Sequence, residues 1–245
     1  MRFSQAWIVA RHDIALIRQR RGVLVGLIAY PVGVGIGFPS LVAYLAMSNT
    51  STPASLWLPS LIDAFSFWFV IAAATLPTAI AAYSIVGEKI EKSLEPLLST
   101  PTTDGEILLG KSLTAFLPTM TALWSGSVLY MVLMDLVARG PLGYFYFPNT
   151  EIAVILLLLA PLACLVAIEA SVIISARVTD VRSAQQYAGI IFLPLIALYV
   201  AGEVGLSLDT LTLLRVAGIF AVVVLGLYGV SVKTFHREEI LTRWR

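Results

Sequence analysis

Ile152-Ala153-Val154-Ile155-Leu156-Leu157-Leu158-Leu159-Ala160-Pro161-Leu162-Ala163-Cys164-Leu165-Val166-Ala167-Ile168-Glu169-Ala170-Ser171-Val172-Ile173-Ile174-Ser175 is the stretch that decides the fold. It holds one charge, Glu169, and one proline, Pro161. About 20 mainly apolar residues in a helix cross a hydrocarbon core of about 30 Å, and this run is long enough. Five further runs flank it: Val23 to Met47, Leu61 to Val86, Leu113 to Val137, Tyr187 to Gly202 and Leu211 to Val232. The Tyr187 run is the shortest. Prolines interrupt five of the six, at Pro31 and Pro39, Pro77, Pro118, Pro161 and Pro194. Neighbouring helices or polar side chains can satisfy the carbonyls that such prolines free.

Composition agrees with the runs. Only 13% of the 245 residues are charged and 58% are hydrophobic, whereas globular domains average about 25% charged. A soluble domain could not hide that much apolar surface. The expected fold is an all-α polytopic membrane protein with six transmembrane helices. A soluble enzyme, a disordered tail and a disulfide-rich secreted domain are disfavoured. The net charge of +1 implies no nucleic-acid partner. Cys164 is the one cysteine, so no intrachain disulfide forms. Charges scattered through the first 21 positions argue against a cleavable signal peptide.

The basic residues orient the spans. Arg2, Arg11, Arg18, Arg20, Arg21, Lys89, Lys92, Lys111, Arg177, Arg182, Lys233, Arg237, Arg243 and Arg245 fall on one side, and only Arg139 and Arg215 on the other. Both termini are therefore expected in the cytoplasm, consistent with an even number of spans, which returns the chain to its starting side. Ahead of the first span, Phe3, Trp7, Ala10, Ile14 and Ile17 recur at helical spacing, with Arg11, His12, Arg18 and Arg20 largely off that face. A basic amphipathic helix lying in the membrane interface is expected over residues 1–21. No segment between runs is long enough for a second domain of about 50 residues or more.

Gly105-Glu106-Ile107-Leu108-Leu109-Gly110-Lys111-Ser112 satisfies the P-loop pattern to the letter. A real P-loop follows a buried strand and wraps phosphates with backbone N–H groups. Here Thr103 and Glu106 have capping-box spacing, so helix starts near Asp104 and its backbone donors are consumed. The match is read as false. Gly33 with Gly37, and Gly22 with Gly26, fit close helix approach instead. His12 and His236 lie in the cytoplasmic ends, which argues against a Ser–His intramembrane protease, and no Cys/His cluster has metal-ligand spacing.

Between the second and third runs, Ile90, Leu94, Leu97 and Leu98 share one helical face, and Glu88, Glu91, Lys92 and Glu95 lie away from it. Pro101 ends this short amphipathic segment. Its acidic excess makes anionic lipid a poor target and suits a soluble partner. The stretch resembles the cytoplasmic loop of type-2 ABC exporter permeases, the membrane subunits of ATP-driven export systems. Glu88-Lys89, Ser93, Leu94-Glu95, Leu97-Leu98, Thr100-Pro101, Glu106-Ile107 and Gly110-Lys111 match that family's pattern. Ile90 and Lys92 depart from it, where the family often has Glu and Gly.

The resemblance implies one transmembrane permease domain over 1–245. It comprises an elbow helix at 1–21, a cytoplasmic coupling segment at 87–103 and a cytoplasmic tail at 233–245. It further implies a multi-pass protein of the cell membrane that works with a second permease chain, as a homo- or heterodimer, and with separate ATPase subunits. Glu88, Lys89, Glu91, Leu94, Glu95, Leu97, Leu98 and Thr100 would couple to those subunits. ATP and Mg would be held by the partner, leaving this chain without cofactor, metal or catalytic residues. The alternative is an ATP-independent channel or secondary carrier.

Glu169 is the most expensive residue in any run. Intramembrane acids default to functional hypotheses, which makes it a candidate for the translocation pathway or its gate, against simple pairing toward Arg177 or Arg182. Asp63, Asp135, Glu203, Asp209 and Arg215 sit near span ends, and Tyr144 to Phe147 read as an interfacial aromatic girdle.

Overall fold

The computed structural model describes residues 3–19, 21–48, 53–90, 103–178, 209–234 and scattered positions of 183–200, with side chains left aside at 3, 83–90, 104, 176, 177, 233 and 234. Among the described residues there is no strand, and nearly all are helical apart from the 143–149 connection and single flanking positions. In chain order the elements are α1 (Phe3–Ile17), α2 (Arg21–Ser48), α3 (Ala54–Ile90), α4 (Asp104–Leu142), α5 (Thr150–Val154), a π-helical segment (Ile155–Leu159), α6 (Ala160–Arg177) and α7 (Thr210–Thr234). Five helical stretches are long and apolar enough to cross a membrane: Arg21–Ser48, Ala54–Ala82, Gly105–Leu142, Thr150–Ser175 and Thr210–Val232. The chain is a multi-pass membrane protein. Of the expected sixth span, Tyr187 to Gly202, only half of the positions are described, as scattered residues, and it is not among these five.

Burial ranks the helices. α3 is covered nearly all round. Phe67, Phe69, Val70, Ile71, Ala72, Ala73 and Ala74 are consecutive or nearly so, and all are buried, which marks a central helix. It packs chiefly on α6, then on α4. The face of α6 carries Ala160, Ala163 and Ala167, all fully buried, and small residues at such spacing let two backbones approach closely. α7 packs on α6 and α2 on α4. Both peripheral helices leave large apolar side chains exposed, such as Val25, Ile28 and Met47 on α2 and Val222 and Leu225 on α7. In a bilayer those faces meet lipid.

The α2–α4 crossing corrects one expectation. A Cβ at Gly22, Gly26, Gly33 or Gly37 would meet nothing within 4 Å, so neither expected pair makes a close approach among the described residues. Gly35, on the face between, does. A Cβ there would come to 2.9 Å from the Gly126 carbonyl of α4, and one on Gly126 would collide with Pro31. Phe38 stacks on Phe65 with ring centroids 4.3 Å apart, tying α2 to α3 beside this crossing.

The π segment has a local cause. The Ala160 N–H bonds back to the Ile155 carbonyl, an i→i−5 step. In that register the next donor would be residue 161 and its acceptor Leu156, but residue 161 is proline and has no N–H. The Trp124 indole of α4 fills the gap, its Nε1 donating to the Leu156 carbonyl at 3.0 Å. A carbonyl left bare in hydrocarbon has no water to turn to.

Candidate functional site

Two polar centres stand at opposite ends of the bundle. The first grows from the start of α4. Thr103 caps it: its Oγ1 accepts the Glu106 N–H at 3.4 Å, and Glu106 Oε2 accepts the Thr103 N–H at 3.0 Å. The capping box is complete and helix begins at Asp104. The P-loop pattern therefore lies inside a helix, as expected, and its three signature residues each contact another element. A Cβ on Gly110 would sit 2.8 Å from the Ala6 carbonyl and 2.9 Å from Val9 Cβ, so Gly110 is the notch that receives α1. Lys111 is 1% exposed, and its Nζ stands 3.7 Å from Asp13 Oδ2 of α1. The other oxygen of Asp13 meets the exposed His12 at Nδ1, 3.2 Å away. Ser112 points the other way. Its Oγ donates to Glu169 Oε1 of α6 at 3.0 Å.

Glu169 lies between α4, α6 and α7. Its side chain is 3% exposed. Ser231 of α7 donates its hydroxyl to the Glu169 main-chain oxygen at 3.5 Å. Oε2 has no hydrogen-bond partner among the described residues. The side chains of Arg177 and Arg182, the cations considered from sequence, lie outside those residues. Three successive residues of α4 thus touch α1 twice and α6 once.

The docked face of α1 differs from the expected one. Ala6, Val9, Ala10 and Asp13 are buried, whereas Trp7, Ile8 and Leu16 are exposed. α1 turns a narrow face with an acid in it to α4, and leaves its bulky apolar side chains outward. Charge at Asp13 is tolerable there because Lys111 opposes it.

The second centre gathers the ends of α3, α4 and α5. Asp135 Oδ1 accepts the N–H groups of Tyr146 at 2.8 Å and Phe147 at 2.9 Å, pinning the 143–149 connection to α4. Tyr146 donates its hydroxyl to Asp63 Oδ2 at 2.7 Å. Burial, then the bonded Asp63 carboxylate, push the Tyr146 hydroxyl pKa far above its ordinary value. Phe147 is buried against Tyr130 and Tyr146. Tyr130 in turn donates to the Ile62 carbonyl at 2.9 Å. The aromatic run is half a girdle: Tyr144 and Phe145 face outward, with Arg139 over the Phe145 ring, while Tyr146 and Phe147 turn in. Asp209 sits at the start of α7, where the Thr212 hydroxyl and N–H hold its carboxyl below the usual range.

Of the residues expected to couple to an ATPase, Glu88 and Lys89 lie in the last turn of α3, their side chains undescribed. Glu91, Leu94, Glu95, Leu97, Leu98 and Thr100 fall outside the described residues. Among the described residues no group of three His, Cys, Asp or Glu could hold a metal ion. Sequence reasoning missed the Asp13–Lys111 pair and the Trp124–Leu156 bond. An acid three residues after Ala10 and seven after Ala6 was the available signal for the first. No protein-family model matches this chain, and no curated protein matches it either.

Proposed function

We propose that the chain is the membrane-spanning permease subunit of an ATP-driven ABC exporter of the cell membrane. On this reading two permease chains line the pathway, the N- and C-termini are cytoplasmic, and separate ATPase subunits dock on residues 87–103. ATP and Mg belong to those subunits. The observation that carries the reading is the motif from Glu88-Lys89 to Gly110-Lys111 together with where its ends fall. α3 has 37 residues and α4 has 39. At about 1.5 Å per residue each is roughly 55–60 Å long, well beyond a hydrocarbon core of about 30 Å. Their linked ends therefore have length to stand clear of the bilayer, on the side where α1 docks.

Co-expression with an ATPase subunit tests this. Leu94→Ala with Glu95→Lys should leave membrane insertion intact, weaken co-purification and lower substrate-stimulated ATPase activity. Thr52→Ala, in the connection between the first two spans, should do neither. Normal assembly and transport by the double variant would remove the coupling assignment. One observation favours the second reading, a secondary carrier: a buried intramembrane acid at Glu169. Transport by the reconstituted chain without ATP would select it.

A further inference from the structure

Glu169 is nearly sealed from solvent, and the described groups that reach its carboxylate are two hydroxyls, Ser112 Oγ on Oε1 and Ser231 of α7. Oε2 is left bare among the described residues. A charged carboxylate inside the hydrocarbon layer is costly and calls for a partner. The basic side chain nearest in sequence on α4, Lys111, is engaged by Asp13 of α1. Among the described residues the polar atoms beside Glu169 are oxygens: Ser112 Oγ from α4, Ser231 Oγ from α7 and its own main-chain carbonyl, which Ser231 approaches at 3.5 Å. Hard oxygen donors around one carboxylate suit a small hard cation, and a single positive charge is what neutrality there requires.

We infer that Glu169, Ser112 and Ser231 form a binding site for one monovalent cation, a proton or a sodium ion. Occupancy holds α4, α6 and α7 together, because each supplies an oxygen to the same place. Departure of the cation leaves a bare carboxylate between helices and favours their separation and the entry of water. This inference stands on membrane embedding alone and does not rest on the exporter reading.

The test is thermal unfolding of the purified full chain in lipid nanodiscs. It is followed from about pH 6 to about pH 9, in choline chloride and in sodium chloride of equal ionic strength. Other charged or ionisable groups lie on the elements packed around it: Glu106 and Lys111 on α4, Asp13 and His12 on α1, Asp63 on α3 at the opposite end, and Asp209 and Arg215 of the α7 segment, also at that end. Lys233, Arg177, Glu88 and Lys89 have undescribed side chains. The neutral Glu169→Gln variant carries all of these and isolates the site. Wild-type Tm should fall as protons are withdrawn in choline. Rescue by sodium identifies sodium as the ligand, and no rescue identifies the proton. The Glu169→Gln profile should lack that component in both salts. Identical profiles for wild type and Glu169→Gln overturn the proposal.

Ser112→Ala decides independently, should Glu169→Gln fail to fold. Removing the Ser112 donor strengthens proton binding, moving the midpoint to about tenfold lower proton concentration. Removing a sodium ligand weakens sodium binding by about the same factor. An unmoved midpoint in Ser112→Ala overturns the proposal as well.

Discussion

Lys111 shows how local surroundings reassign a residue whose sequence context suggests phosphate binding. Its ammonium is buried and faces a carboxylate of another helix. Breaking a buried pair from one side leaves an uncompensated charge and costs about 3–5 kcal/mol. Lys111→Ala should therefore lower stability by that order, measured as a Tm drop in nanodiscs. Nucleotide binding by the isolated chain should be zero before and after, checked by equilibrium dialysis. Asp13→Asn combined with Lys111→Met should be less destabilised than the two single variants summed, since neither charge is then stranded. Trp124 is the second case. Trp124→Phe keeps an aromatic ring, though a smaller one, and removes the donor to the Leu156 carbonyl; it should cost about 1–3 kcal/mol. A Tm equal to wild type would mean that this carbonyl finds another donor.

Between elements, steric fit rather than motif spacing selects the contacts. Gly35→Ala and Gly126→Ala put a methyl into the α2–α4 crossing, where overpacking costs about 1–3 kcal/mol each. Gly33→Ala and Gly37→Ala meet open space and should be neutral within a few tenths of a kcal/mol or slightly stabilising. Thermal unfolding of the four variants compares them directly. The contrast also shows what was legible beforehand. Five of the six expected spans are found as apolar helices, because apolar length is a property of the run itself. The start of α4 was legible too, since Thr103 and Glu106 satisfy each other locally. The crossing was not: spacing says which residues share a face, and Gly33 shares one with Gly37, but not which face meets a neighbour. Glu169 stood out as a buried acid, while its partners Ser112 and Ser231 lie 57 and 62 positions away. Hydroxyls at that separation carry no local mark.

At the scale of the whole molecule the two polar centres separate the ends of the bundle. The α1 end is fastened by Lys111, Asp13 and Glu169, and the opposite end by Asp63, Asp135 and Tyr146. Topology labelling can place these ends in a membrane. Single cysteines at Ser51 and Tyr144 should react with an impermeant thiol reagent from outside, and one at Ser93 only after permeabilisation. Cys164 is buried and should stay silent. Tyr144 is exposed, whereas the Asn149 side chain in the same connection caps α5 by accepting the Ile152 N–H. The reversed labelling pattern would invert the orientation.

The π segment also fixes an angular phase. One extra residue between Val154 and Ala160 turns everything before it by about 100° relative to everything after it. That rotation lets Ile152 face the core beside α3 while Ala160, Ala163 and Ala167 face it further along. Deleting one leucine from 155–159 would leave a regular α-helix lacking only the bond that the Pro161 nitrogen cannot make. Yet α5 would be rolled about its axis, with Ile152 swung off the core and the connection held by Asp135 wrung against its anchor. The shortened chain would be locally more regular and globally out of phase.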